Sequence, residues 1–296
     1  MQATELTNIS TVHQERLTLA DQNSIPIVGM GTWKIVDPKI MNEAVDAAIE
    51  IGYRHFDSAE LYENEHLLGD ALKLALAKHG LTRQDIWITG KIAMWQMSYD
   101  GALASIQTTI ETMGIEYLDL VLIHWPTSIG ELQGEEARLE CWRGMAEAKK
   151  QGLVKSLGVS NFTARHIEQF LDKVSEKPVV NQIEIHPLYH DDETIKVCQK
   201  NDIILICYAP LATFDERLMK NEYILKLGEK YHKASNQIAL RWAVDRGFVV
   251  IPKASSRDHL LSNISIGDFK LEEEEVQQID QINIMFKTDW DPKDEP

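Results

Sequence analysis

Short apolar runs rich in β-branched residues alternate with longer stretches of helical period along almost the whole chain, and this alternation restricts the fold more than any other feature. The runs fall at 28–32, 54–56, 86–89, 118–123, 154–159, 179–184, 203–207 and 248–251. After each one, apolar residues recur at helical spacing, over 38–51, 65–78, 98–113, 136–151, 163–173, 191–201, 221–246 and 256–263. That spacing lines one face of a helix. Strands this short, separated by helices, are expected to be parallel and covered on their outer side. Right-handed crossovers repeated around a closed sheet then give a (β/α)8 TIM barrel, a fold of about 250 residues. A doubly wound open sheet is the competing architecture, and a glycine-rich GxGxxG turn after its first strand would mark it. Here Gly29-Met30-Gly31 continues into Thr32-Trp33-Lys34, so the barrel is the expectation.

The 296 residues suit one such domain over 15–296, preceded by a polar, aperiodic extension over 1–14. Two short strands around the turn cluster Asp21-Gln22-Asn23-Ser24 come before the first barrel strand. A composition of 44% hydrophobic and 26% charged residues is that of a soluble globular protein. No apolar run approaches the roughly 20 residues of a membrane-spanning helix. Residues 1–14 lack the basic start and apolar centre of a signal peptide, so a cytoplasmic location is expected, as a monomer or small homo-oligomer. Three cysteines, Cys141, Cys198 and Cys207, form no CxxC pair and predict neither a disulfide framework nor a thiolate metal site. A formal net charge of −16 opposes attraction to nucleic acid or anionic membranes.

Active sites of such barrels lie at the C-terminal ends of the strands, which singles out polar residues that close apolar runs. Asp57 follows His55-Phe56, Lys91 follows the run ending at Gly90, and His124 follows 118–123. Tyr62 lies five residues after Asp57. Any one of these alone reads as an ion pair or a piece of core rim. Together they suit acid chemistry: a phenol with a pKa of about 10 is a poor proton donor at neutral pH, and a neighbouring ammonium held by a carboxylate would lower that value.

The motifs FDSAELYENE (56–65), LIHWP (122–126), GVSNF (158–162), NQIEIHP (181–187) and IPK (251–253) resemble those of the aldo-keto reductase superfamily, in that family's order. The resemblance implies a (β/α)8 barrel whose N-terminal β-hairpin closes the bottom, and reduction of aldehydes, ketones or sugars by hydride transfer. It assigns Tyr62 as general acid, Lys91 and Asp57 as the pair that tunes it, and His124 as the group orienting the substrate oxygen. It places Ser160, Asn161 and Gln182 at the nicotinamide carboxamide and Tyr208 against its ring, with Ala209, Pro210 and Leu211 following. A helix cap before 163–173 is the plain structural role for Asn161.

At the phosphate end, Lys253 matches the family lysine where the last barrel helix opens, a position whose backbone N–H groups suit an anion. Ala254, Ser255, Arg257, His259 and Asn263 complete that end by resemblance. By resemblance NADPH is the expected cofactor; Ala254 and His259 stand where the family commonly has serine and arginine and neither reproduces a guanidinium fork, which leaves NADH or dual use open. Trp33, Trp95 and Trp125 are the expected substrate pocket, with Trp290 near them or simply filling a crevice. Trp95 comes four residues after Lys91, whereas the family usually has its tryptophan two residues after. The resemblance further implies carbonyl reduction, since the family reduces a conjugated C=C with glutamate where this chain has His124, and small substrates, since segments 127–135 and 284–296 are short for the family loops that clamp large ones.

Two rivals are carried. A short-chain dehydrogenase would need a YxxxK pair, which the chain lacks. A non-catalytic barrel that binds nucleotide as a sensor or subunit would bind cofactor without turnover. The cluster Glu184, His186, His190, Asp191, Asp192 and Glu193 has ligand types that suit zinc, but its spacing fits no zinc motif and no metal is expected.

Overall fold

The computed structural model describes residues 11–295. Residues 1–10 of the expected extension lie outside the described residues, while Thr11–Gln14 form a 3-10 turn whose Val12 is buried in the core. Strands β1 (Arg16–Thr18) and β2 (Ser24–Pro26) pair as an antiparallel hairpin with Leu17 opposite Ile25. Eight parallel strands follow: β3 (Met30–Gly31), β4 (His55–Asp57), β5 (Trp87–Ile92), β6 (Leu118–Ile123), β7 (Val154–Ser160), β8 (Val180–Glu184), β9 (Ile204–Tyr208) and β10 (Val249–Val250). Each pairs with the next in the chain. Bridges from Val28 to Val250 and from Gly31 to Lys253 close the ring, with Gly29 N–H donating to Val250 O at 2.8 Å. The expected (β/α)8 barrel is therefore present.

The helices are α1 (Pro38–Ile51), α2 (Glu65–His79), α3 (Tyr99–Met113), α4 (Gly134–Lys150), α5 (Ala164–Leu171), α6 (Asp192–Lys200), α7 (Glu216–Met219), α8 (Glu222–Tyr231), α9 (Ser235–Asp245), α10 (Arg257–Ile264) and α11 (Glu273–Asp280). Local chemistry sets their ends. Asp37 caps α1 by accepting from Lys39 N–H at 2.8 Å and Ile40 N–H at 3.0 Å, Pro38 suits the first turn, and Gly52 at φ 117° stops it. Met41, Ala44, Val45 and Ala48 form its buried face. The stretch 221–246, read as one helical segment, is two helices. His232 at φ 54° lets Lys233 N–H turn back onto Gly228 O, so the chain reverses before α9 starts. Close packing also dictates glycine at two places. A Cβ on Gly69 in α2 would sit 2.3 Å from Met113 O, and one on Gly29 would sit 2.7 Å from His55 Nδ1.

Two apolar layers result. Between strands and helices lies the large outer core, including Phe56, Ile88, Val121, Leu157, Leu205 and Trp242. Inside the barrel, Trp87, Leu120, Val180, Ile206 and Val249 pack with Leu19 and Ile25 of the hairpin, which plugs the lower end. Above this plug the interior turns polar: His55 bonds Thr89 Oγ1 at 3.1 Å, and Asp57 and Lys91 lie above them at the strand tips. Burial without a counter-charge pushes the His55 imidazole down to about 3, so it is a neutral spacer.

Candidate active site

Asp57 closes β4, Lys91 stands one residue before the end of β5, and His124 follows β6. The strand carrying Lys91 thus runs three residues beyond its expected end at Thr89. Its ammonium bridges the site: Lys91 Nζ donates to Asp57 Oδ1 at 2.5 Å, to Ser58 O at 3.0 Å and to Tyr62 Oη at 3.0 Å. Tyr62 ends a 3-10 turn, Glu60–Tyr62, that is anchored on the next residue but one: Asn64 Nδ2 donates to Thr32 O at 2.9 Å and Ile35 O at 3.1 Å. The Tyr62 and His124 rings meet edge to face with centroids 5.8 Å apart. Asp57, Lys91 and His124 are buried.

The electrostatics differ in one respect from the simple picture of a phenol made more acidic. Burial is the largest influence on Tyr62 and raises its pKa; the Lys91 charge and hydrogen bond pull it down, while Asp57 and Asp289 push it up. The net shift is upward, so Tyr62 holds its proton at rest. Lys91 loses stability as a cation through burial, yet the attraction of Asp57 and Tyr62 prevails and its pKa lies above the usual value. His124 is driven well below its ordinary pKa by burial and by the Lys91 charge, so the ring is neutral. A neutral imidazole offers one donor and one acceptor nitrogen.

Behind this group sits a chain of amides. Gln182 Nε2 donates to Asp57 Oδ2 at 2.7 Å. Ser160 Oγ donates to Gln182 O at 2.8 Å, and Asn161 Nδ2 donates to His124 O at 3.0 Å. Tyr208 Oη–H donates to Asn161 Oδ1 at 2.8 Å, which fixes its ring. Asn161 does not cap α5; that position belongs to Thr163, whose hydroxyl faces His166 Nδ1 at 3.0 Å. Asn161 instead takes a left-handed turn at φ 63° that aims its amide into the barrel mouth.

A cleft of about 560 Å³ opens over these groups, from Tyr62, His124 and Trp125 past Tyr208 to Lys253. Trp33, Ala209, Pro210 and Leu211 line it. Trp95 does not: it is exposed and its Nε1 donates to Glu60 Oε1 at 3.1 Å. Ala254, Ser255, Arg257, His259 and Asn263 also lie beyond the lining, along the start and body of α10. Arg257 faces Glu50 at 3.6 Å, the His259 ring lies 6.4 Å from Phe214, and buried Asn263 accepts from Asn236 Nδ2 at 3.1 Å. Thr213, Phe214, Thr288 and Asp289 line the cleft without having been singled out, because they come from loops without periodicity or motif.

The last two are brought there by Glu184. Its buried carboxylate accepts from Thr288 N–H at 2.6 Å, Thr288 Oγ1 at 2.8 Å, Asp289 N–H at 3.1 Å, Lys287 Nζ at 3.2 Å and His186 Nε2 at 3.0 Å. These donors outweigh the cost of burying the charge and hold Glu184 down at about 2. Trp290 then packs on Trp125 with centroids 4.9 Å apart. His190, by contrast, packs on Trp242 and lies apart from this carboxylate.

A family model described as the Aldo/keto reductase family matches residues 27–284. A 9,11-endoperoxide prostaglandin H2 reductase of Trypanosoma cruzi is 32% identical over 277 residues, 93% of this chain and 94% of that protein. A glyoxal reductase of Bacillus subtilis is 34% identical over 259 residues, covering 88% and 89% of the two chains. Among solved structures, an aldo-keto reductase of Bombyx mori in complex with NADP superposes with a TM-score of 0.89 at 32% identity, over 95% of this chain and 97% of that one. Sequence and architecture agree: the chain belongs to the aldo-keto reductase family of oxidoreductases.

Proposed function

We propose that this protein is an NADPH-dependent reductase of small aldehydes and ketones in which Tyr62 is the general acid. The observation that carries this reading is the Lys91 ammonium, buried and hydrogen-bonded at once to Asp57 Oδ1 and Tyr62 Oη at the floor of the cleft. That arrangement has a chemical purpose: it stabilises the phenolate that remains after Tyr62 gives up its proton.

The residues of the cleft suit a nicotinamide dinucleotide. Tyr208 offers a flat face held in place by Asn161 Oδ1, and Gln182 commits one N–H to Asp57, which leaves Gln182 Oε1 and the second lone pair of Asn161 Oδ1 to accept from a carboxamide N–H. Lys253 stands at the other end of the cleft, exposed and with no carboxylate paired to it among the described residues, as a phosphate would require. When bound, the reduced cofactor supplies the hydride that the carbonyl carbon accepts. The similarity to a Bombyx mori relative solved with NADP supports the phosphorylated form.

The substrate oxygen would lie between Tyr62 and His124. His124, neutral, orients it by a hydrogen bond, and Tyr62 transfers its proton as negative charge develops on that oxygen; such transfers typically contribute about 10² to 10⁴-fold to a rate. The O–H bond of Tyr62 breaks as the alcohol O–H forms, and the phenolate rests beside Lys91 until it is reprotonated. A raised pKa keeps the acid loaded between turnovers.

The test is the fall in nicotinamide absorbance with a panel of aldehydes, ketones and sugars, run with NADPH and NADH in parallel, for the wild type and Tyr62→Phe. Turnover of at least one carbonyl that the variant loses, with cofactor still bound by fluorescence quenching, supports the reading. Cofactor binding without turnover of any carbonyl would convert it to a non-catalytic nucleotide-binding barrel.

A further inference from the structure

We propose that Asp289 sets the charge preference of the substrate end of the cleft, favouring carbonyl compounds whose far end is cationic over those whose far end is a carboxylate. The inference rests on the reading of the cleft given above and names a substrate class within it. Asp289 lines the cleft together with Tyr62, His124 and Trp125. It is also held in place. Its N–H donates to Glu184 Oε2 at 3.1 Å, the preceding Thr288 makes two bonds to Glu184 Oε1, and the following Trp290 packs on Trp125. The carboxylate itself accepts from Trp290 N–H at 2.8 Å, which restricts its rotamer. A charge fixed on both sides in this way acts as part of the wall, whereas one on a loose tail would average into solvent.

The remaining charges in the cleft leave Asp289 as the dominant one at that end. Asp57 is balanced by Lys91 at 2.5 Å. Lys253 stands at the far end, where the phosphates would lie. Lys34 is drawn over the Trp33 ring, 4.1 Å from its centroid. Among the described residues Asp289 forms no ion pair. Its charge reaches the reaction point, where it is one of the influences that raise the pKa of the Tyr62 and Tyr208 phenols, on Tyr62 against the larger downward pull of Lys91. The net charge of −16 over the whole chain acts in the same direction but is screened beyond roughly 10 Å at ordinary salt.

Three aldehydes of equal carbon length separate the possibilities: butanal, 4-oxobutanoate, and 4-(trimethylammonio)butanal. The readout is the ratio of kcat/KM between two substrates within one enzyme preparation, which cancels any loss of folded protein. The wild type should prefer the cationic over the anionic aldehyde by roughly tenfold or more at low salt, and less at high salt. Asp289→Asn should bring the ratio towards unity, and Asp289→Lys should invert it. An unchanged ratio in Asp289→Asn, or a wild-type preference for the anion, overturns the proposal while turnover of butanal preserves the reductase reading. Absence of turnover on all three, with every other carbonyl of the panel also inert, removes both.

Discussion

Gln182 and Asp57 are joined across the barrel, from strands on opposite sides of the ring, by a 2.7 Å hydrogen bond from Gln182 Nε2 to Asp57 Oδ2. With Lys91 on the other oxygen at 2.5 Å, both acceptors of a buried carboxylate are engaged. A glutamine that resemblance places at a nicotinamide is thus also a support for the ion pair that serves Tyr62.

Removal of one partner should therefore be costly to the fold. Lys91→Met leaves the Asp57 charge facing only an amide and should destabilise by about 3–5 kcal/mol, as removal of one member of a buried pair does. The double variant Lys91→Met with Asp57→Asn should recover most of that loss, because the uncompensated charge is gone. Urea midpoints of the two proteins check this; a double variant as unstable as the single one would show that the cost lies in packing.

The direction of the Tyr62 shift predicts the shape of the pH profile. An acid works only while protonated, and a pKa raised by burial keeps Tyr62 protonated past the usual tyrosine range near about 10. Reductase kcat should stay flat through neutral pH and fall only at strongly alkaline pH. Lys91 pulls in the other direction, so in an active Lys91 variant the fall should move further up. A profile of kcat against pH that drops near neutrality would contradict this assignment.

Glu184 makes a second, independent prediction. Its pKa of about 2, depressed from 4.5, means that its contribution to stability is complete above the unfolded value and is lost as pH falls from about 4.5 through about 2. A shift of that size corresponds to about 3 kcal/mol. Glu184→Gln should therefore be less stable than the wild type at neutral pH and nearly equal to it near pH 2. Because the same carboxylate holds Thr288 and Asp289 at the cleft, Glu184→Ala should raise KM several-fold with a smaller change in kcat. Thermal melts across pH and steady-state kinetics read the two effects.

How far these features could be read in advance depended on how local their causes are. The eight short strands and the hairpin were legible because period and turn chemistry act within a few residues, whereas the hairpin's place as a plug came from the family resemblance. Asp57, Lys91 and His124 could be singled out because barrel strands deliver their ends to one face, and Tyr62 by its distance from Asp57 and its motif. The break at His232 was not, since nothing marks a histidine for a left-handed turn. Glu184 looked like part of a possible metal cluster. Only the fold shows that its partners lie about a hundred residues onward, at Lys287, Thr288 and Asp289. Trp95 could not be placed from the sequence, because its bond to Glu60 joins two different loops.

Glu65 shows the same limit and leads to the last prediction. As the first residue of α2 it resembles an acid placed to favour the helix dipole, an arrangement that stabilises the charged form. Its side chain is instead buried against α3, where Thr109 Oγ1 is its hydrogen-bond partner at 3.2 and 3.3 Å, and the desolvation exceeds both that bond and the dipole. Burial raises its pKa from 4.5 to about 7, with the nearby Glu60 charge adding to the effect. The sign is then opposite to that of Glu184: the stabilising contribution is present below about 4.5 and is lost as pH rises through about 7, a change of about 3 kcal/mol at most. Glu65→Gln, which keeps the shape and can still bond Thr109, should match the wild type in acid and exceed it in melting temperature at pH 8, in proportion to that loss. Equal melting temperatures at both pH values would mean that the carboxylate is hydrated in the folded protein and that α2 and α3 separate enough there to admit water.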